Sequence, residues 1–124
     1  MLYTGLRPNE IYTVKIKQPF IIAVNSKRKN KKIEYKKIPI IEKLKPYLNN
    51  LVIPAIQTLR DLIKKILPNH KLYDLRTTFY SRCKEYGISQ TAIDEFMGHS
   101  LGALGNAYTD ISDEYLLKEM EKFQ

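Results

Sequence analysis

A single cysteine, Cys83, rules out an intramolecular disulfide and suits a reducing compartment. No apolar run approaches the roughly 20 residues that a spanning helix needs. Met1 is not followed by the charged stretch and apolar core of an export signal, so neither secretion nor a membrane is expected. The two histidines, His70 and His99, share no ligand spacing with Cys83, and no tight carboxylate cluster occurs, so neither a metal nor any other cofactor is expected. No internal repeat, low-complexity stretch or linker interrupts the 124 residues, and one domain spanning 1–124 is the expected organisation.

Acidic residues are scarce in one place. Between residues 15 and 37 nine basic side chains (Lys15, Lys17, Lys27, Arg28, Lys29, Lys31, Lys32, Lys36 and Lys37) face only Glu34, while the remainder of the chain is electrically neutral. The whole formal charge of +8 therefore sits on one short segment, which makes a polyanion such as nucleic acid the natural partner and a merely solubilising surface the competing reading.

Pro8 and Glu10 suit the first turn of a short helix over about residues 8–14. Phe20 to Val24 reads as a buried strand, and Ile33 to Ile40 as a second, stopping around Pro39. The polar stretch between them makes a hairpin with a basic tip. Residues 42–49 suit a short helix. Ile56, Leu59, Ile63, Ile66 and Leu67 recur at steps of three and four, which predicts an amphipathic helix over residues 54–67. Leu72, Leu75, Phe79, Cys83 and Tyr86 repeat the pattern up to Gly87. Ser89 is placed to cap a helix ending near Met97, a short helix is expected over 101–109, and Ser112 caps a last one with Tyr115, Leu116, Met120 and Phe123 on one face. The expected fold class is α+β, a mostly α-helical single domain with a small antiparallel hairpin or sheet.

Four short phrases stand out in fixed order: Thr4-Gly5-Leu6-Arg7-Pro8-Asn9-Glu10, Tyr73-Asp74-Leu75-Arg76-Thr77-Thr78-Phe79, Gly98-His99, and Tyr108. Two guanidiniums can fork onto the non-bridging oxygens of one phosphate, a histidine can add a hydrogen bond, and a tyrosine can supply an oxygen nucleophile. Over nearly its whole length the chain resembles the catalytic domain of the tyrosine recombinase (phage integrase) family. The resemblance implies a site-specific DNA recombinase or integrase that cuts and rejoins duplex DNA through a 3′-phosphotyrosine, leaving a free 5′-hydroxyl.

By that resemblance Arg7 and Arg76 clamp the phosphate, His99 hydrogen-bonds it, and Tyr108 is the nucleophile. Lys27 is placed as the hairpin lysine that protonates the departing 5′-oxygen, with Lys29, Lys31 and Lys32 chemically equivalent on paper. Arg28, Lys29, Lys31 and Lys32 are expected to contact DNA, and Glu10 to orient basic groups. Read without the resemblance, Arg7 is an exposed helix-start arginine, and Arg76 pairs with Asp74 or Glu85. Tyr73 is counted with the catalytic residues: it stands where the family most often has histidine, and a phenol can donate a hydrogen bond to the phosphate or the nucleophile but is a poor base near neutrality, so either the base function is dispensable or water or His70 takes it.

Met1 lies only six residues before Arg7, so the chain resembles a C-terminal catalytic-domain fragment, or an unusually short relative, without the core-binding domain and initial catalytic-domain helices of the family. The resemblance further implies self-association on DNA through helix 112–123, host accessory DNA-bending proteins as further partners, and action in the cytoplasm or nucleoid of a prokaryotic host, from a virus, plasmid or other mobile element. A DNA-binding module that has kept the fold and lost the reaction, and a type IB topoisomerase relative, are the alternatives.

Overall fold

The structure, a computed structural model, describes residues 1–27, 33–99 and 111–124. Within these the chain is α+β. A three-stranded antiparallel sheet of order β1-β2-β3 is formed by β1 (Lys15–Lys17), β2 (Phe20–Val24) and β3 (Tyr35–Pro39). Four α-helices accompany it among the described residues: α1 (Ile56–Ile66), α2 (Asp74–Glu85), α3 (Gln90–Met97) and α4 (Asp113–Met120). No described helix is long and apolar enough to cross a membrane.

The register pairs Phe20 with Pro39 and Val24 with Tyr35. Ile38 on β3 is buried, and by the two-residue period of a strand Lys36 shares its face. α2 buries Arg76, Phe79 and Cys83, spaced three and four apart along one stripe, and α3 buries Ala92, Ile93, Phe96 and Met97 against it. Ser89 caps α3 by accepting from the Ala92 amide at 3.2 Å, as its position predicts. Ser112 does the same for α4, accepting from the Tyr115 amide at 3.1 Å.

The apolar face of α4 lies on its own domain. Leu116, Met120 and Phe123 join the core, and the Phe123 ring stacks on Phe79 at 5.5 Å and meets Tyr86 edge-on at 5.2 Å. The Lys37 ammonium bonds the Asp113 carboxylate at 3.0 Å, tying β3 to the start of α4. Docking of this face on a neighbouring protomer would require it first to leave Phe79 and Tyr86.

Several boundaries differ from the sequence reading. The expected helix over 8–14 is a 3₁₀ helix at Glu10–Thr13, and the helix over 42–49 is a single 3₁₀ turn, Lys45–Tyr47. Pro46 lies inside that stretch, where it removes a backbone donor, and the interior of an α-helix tolerates this poorly. β1 was not foreseen: it has three residues, all exposed, and carries no burial pattern. α1 matches its periodicity yet buries no residue completely; Leu59 and Ile63 are half-buried, and Ile66 lies open to solvent. The helix expected over 101–109 lies outside the described residues.

Candidate phosphate-binding site

The Gly5 backbone begins the site. Gly5 has φ +68°, and a Cβ there would stand 2.5 Å from Phe79 Cδ1 and 2.8 Å from Met97 Sδ, so only glycine lets the N-terminal phrase lie this close to α2 and α3. The approach places the Gly5 carbonyl on Arg76 Nη1, while Arg76 Nη2 donates to the Met97 carbonyl at 3.0 Å. Arg76 is 2% exposed. It pairs with neither Asp74 nor Glu85; Asp74 accepts instead from the Lys71 amide at 2.9 Å and faces His70. Burial, and then the like charge of Arg7, lower the Arg76 pKa, with the Tyr73 phenol and Glu10 acting in the opposite direction. A guanidinium carries five N–H donors, so with two on carbonyls Arg76 retains others for a ligand.

Arg7 is held from the other side. It is 7% exposed, not the exposed helix-start arginine that the sequence allowed. Its amide donates to Glu10 Oε1 at 2.8 Å, and its Nη1 donates to Glu10 Oε2 at 3.0 Å and to Asn25 Oδ1 at 3.1 Å. Its Nε is buried with no acceptor among the described residues. A buried, unsatisfied donor on a charged fork is energetically unfavourable, and an anion arriving there relieves it.

Glu10 is the hub. Besides Arg7, its Oε2 accepts from the Ser26 amide at 2.8 Å and the Ser26 hydroxyl at 3.1 Å, and its Oε1 accepts from Lys36 Nζ at 2.5 Å. Burial disfavours its ionisation, but the bonds from Lys36 and from the Ser26 and Arg7 amides outweigh it, and the carboxyl falls to about 2. Lys36 is 1% exposed. Burial lowers its pKa most, the Glu10 bond opposes this, and the Arg76 and Arg7 charges add to the lowering, which brings it to about 8.

The α3 C-terminus completes the enclosure. Gly98 (φ +70°) ends the helix in the left-handed conformation, its carbonyl accepts from Asn25 Nδ2 at 3.0 Å, and a Cβ at this position would lie 2.5 Å from Lys36 Cε. His99 follows directly, its amide on the Asp94 carbonyl at 2.9 Å and its ring 3.5 Å from the Asp94 carboxylate, with 44% of the side chain exposed. The two arginines, Glu10 and the Gly98–His99 turn are therefore gathered at one place from three distant stretches of chain.

An open groove of about 590 Å³ meets this cluster at Arg7 and is lined further by Tyr12, Ser26, Lys27, Arg60 and Tyr73 among others; Arg76 and His99 do not line it. The Tyr12 hydroxyl donates to the Pro54 carbonyl at 2.7 Å, which sets the start of α1 beside it. Lys27 is exposed, with its amide on Asn25 Oδ1 at 3.2 Å. Tyr73 is 50% exposed and also lines an adjoining groove with Arg60, Lys64, His70 and Lys71. Arg28, Lys29, Lys31, Lys32 and Tyr108 lie outside the described residues. Among the described residues no three His, Cys, Asp or Glu side chains gather as a metal would require.

Lys36 and Asn25 were not singled out from sequence. Lys36 left a faint signal: it alternates with Ile38, and a lysine on the inward face of a strand needs a buried carboxylate. Asn25 left none.

Two results are expected from this geometry. Gly98→Ala adds a strained backbone and a clash with the Lys36 stem, and should destabilise the domain by about 2–4 kcal/mol in urea unfolding. Glu10 stabilises the fold fully above the ordinary carboxyl range, and that contribution drains away as pH falls from 4.5 towards 2, because the folded carboxyl resists protonation more than the unfolded one. The stability gap between the wild type and Glu10→Gln, followed by circular dichroism, should be constant above about pH 6 and shrink steadily below 4.5; a gap unchanged down to pH 2 would contradict the ionic role.

No protein-family model matches the chain, and no curated protein sequence matches it.

Proposed function

We propose that the chain is a DNA strand transferase of the tyrosine recombinase type, in which Arg7 and Arg76 hold one phosphodiester while Tyr108 attacks it. The observation that carries this reading is the pairing of two buried guanidiniums, one with an unsatisfied Nε, beside an open basic groove. Preorganised donors of this kind stabilise the charge that develops on non-bridging oxygens as an in-line attack proceeds.

In the proposed reaction the Tyr108 oxygen bonds to phosphorus as the bond to the 5′-oxygen breaks, and Lys27 gives that oxygen a proton. The 3′-phosphotyrosine conserves the bond energy, and attack by a 5′-hydroxyl reverses the step and rejoins the strand. His99 donates to the phosphate from the end of α3. Tyr73, next to Arg76, donates a hydrogen bond and leaves the phenolic proton of Tyr108 to water or His70. The basic hairpin supplies sequence-independent affinity for duplex DNA. Self-association on DNA through α4 belongs to the same proposal and requires that helix to exchange its packing.

The test is incubation with a nicked suicide duplex followed by a denaturing gel. A band of protein joined to DNA is expected, and its absence under all conditions contradicts the reading. One observation favours the alternative of a binding module that has lost the reaction: Arg76 already donates to two carbonyls, as a purely structural arginine would. That alternative predicts salt-sensitive duplex binding with no adduct.

A further inference from the structure

We infer that the DNA strand held at Arg7 continues past Tyr73 onto α1, where Arg60, Lys64 and Lys71 take a neighbouring phosphate of its backbone. The inference rests on the reading of the Arg7 groove as a DNA site and adds a second wall to it.

Charge and shape carry the argument together. Outside residues 15–37 the chain is neutral as a whole, yet residues 55–73 hold Arg60, Lys64, Lys65 and Lys71 against Asp61 alone. Arg60 and Lys64 lie one turn apart on α1 and so share a face. With His70, Lys71 and Tyr73, from the segment leading into α2, they line a groove of about 520 Å³. Pro8, Arg60 and Tyr73 line both this groove and the one that reaches Arg7, so the two meet along a common wall.

No carboxylate lines either groove. The two acids nearest in sequence are engaged elsewhere: Asp61 accepts from Gln57 Nε2 at 3.0 Å, and Asp74 accepts from the Lys71 amide at 2.9 Å with His70 Nδ1 at 3.2 Å. Arg60, Lys64 and Lys71 are exposed and form no ion pair among the described residues. A surface that serves only solubility intersperses both signs of charge. Cations gathered in a concavity without a counter-charge repel one another, and a polyanion relieves that repulsion. A backbone with one phosphate per nucleotide suits a track that runs from Lys27 and Arg7 to Arg60, Lys64 and Lys71 better than a single free anion does. The position of α1 is set by Leu59 on the core and by the bond from Tyr12 to Pro54, neither of which involves Arg60 or Lys64. Both side chains can therefore be changed with the fold kept.

The experiment measures duplex affinity against salt for the wild type, for the Arg60→Gln, Lys64→Gln double variant, and for a Lys43→Gln, Lys84→Gln control whose residues line neither groove. The double variant should bind about tenfold more weakly or worse at about 0.1 M salt, and the slope of log K on log salt should fall in magnitude by about 1–2, equally on duplexes of unrelated sequence. The control removes the same charge and should keep the wild-type slope. A wild-type slope in the double variant, an equal change in the control, or a loss confined to one sequence overturns the inference.

Adduct formation on the nicked duplex is followed in parallel. Wild-type adduct with an unchanged slope in the double variant removes the α1 contact and leaves the catalytic reading standing. A lowered slope with no adduct from any protein keeps the contact and removes the catalytic reading. If the wild type binds no duplex, both fall. Should the double variant not fold by circular dichroism, Lys64→Gln with Lys71→Gln replaces it, with the same expected slope and the same overturning results.

Discussion

Tyr108→Phe is expected to bind duplex DNA as the wild type does and to form no covalent adduct, a loss of roughly 10⁴-fold or more in cleavage rate. The change removes one oxygen, the atom proposed to bond to phosphorus, and leaves the ring. Arg7, Arg76 and the basic segment, the groups proposed to hold the backbone phosphates, are untouched, so affinity and its salt dependence should be retained. The chain has nine tyrosines, and Tyr80, Tyr86 and Tyr115 contribute to packing. Tyr115 Oη also bonds Ser89 Oγ. Tyr115→Phe should therefore change stability slightly and leave the adduct in place. Wild-type adduct from Tyr108→Phe would move the nucleophile to another side chain.

The second large effect concerns Arg7. Arg7→Ala should slow adduct formation by about 10²–10³-fold at saturating DNA, the usual consequence of removing one preorganised donor from a developing anion. Arg7→Lys should recover little of this, since an ammonium restores charge without the fork. Stability should fall as well, by about 3 kcal/mol for a buried ion-pair partner, because Glu10 keeps Lys36 and two amides but loses the guanidinium. Rate measurements therefore belong at a temperature where circular dichroism shows both variants folded. A rate within a few-fold of wild type under those conditions would make Arg7 a structural residue.

The elements that could be read from sequence are those whose signal is local. α2, α3 and α4 each combine an apolar stripe with a residue that must cap or end a helix, namely Gly87, Ser89 and Ser112. β2 declares itself through five consecutive apolar residues. β1 exists only because β2 offers it an edge, and nothing within Lys15–Lys17 encodes that. The stretch around Lys45–Tyr47 looked helical by composition, but Pro46 limits it to a turn.

The candidate site divides in the same way. Arg7, Arg76 and Gly98–His99 were marked by their phrases, and the structure gives physical reasons for the glycines in them: Gly5 admits the ring of Phe79, and Gly98 admits the stem of Lys36. Apart from Glu10, three residues after Arg7, the partners of the arginines were not legible, because they depend on contacts between residues far apart in the chain. Glu10 reaches Lys36 across twenty-six residues, and Arg76 reaches Gly5 across seventy-one. Asp74 and Glu85 were the sequence-near candidates for Arg76, and tertiary placement of two backbone carbonyls displaced both.

The most direct measurement is a diffraction structure of Tyr108→Phe bound to an intact duplex, in which the uncleaved phosphodiester is retained. One phosphate is predicted to sit with its non-bridging oxygens at hydrogen-bond distance from both Arg7 Nε and the remaining donors of Arg76, beside His99. Phosphates that follow only the hairpin lysines and leave Arg7 Nε without a partner would contradict the account.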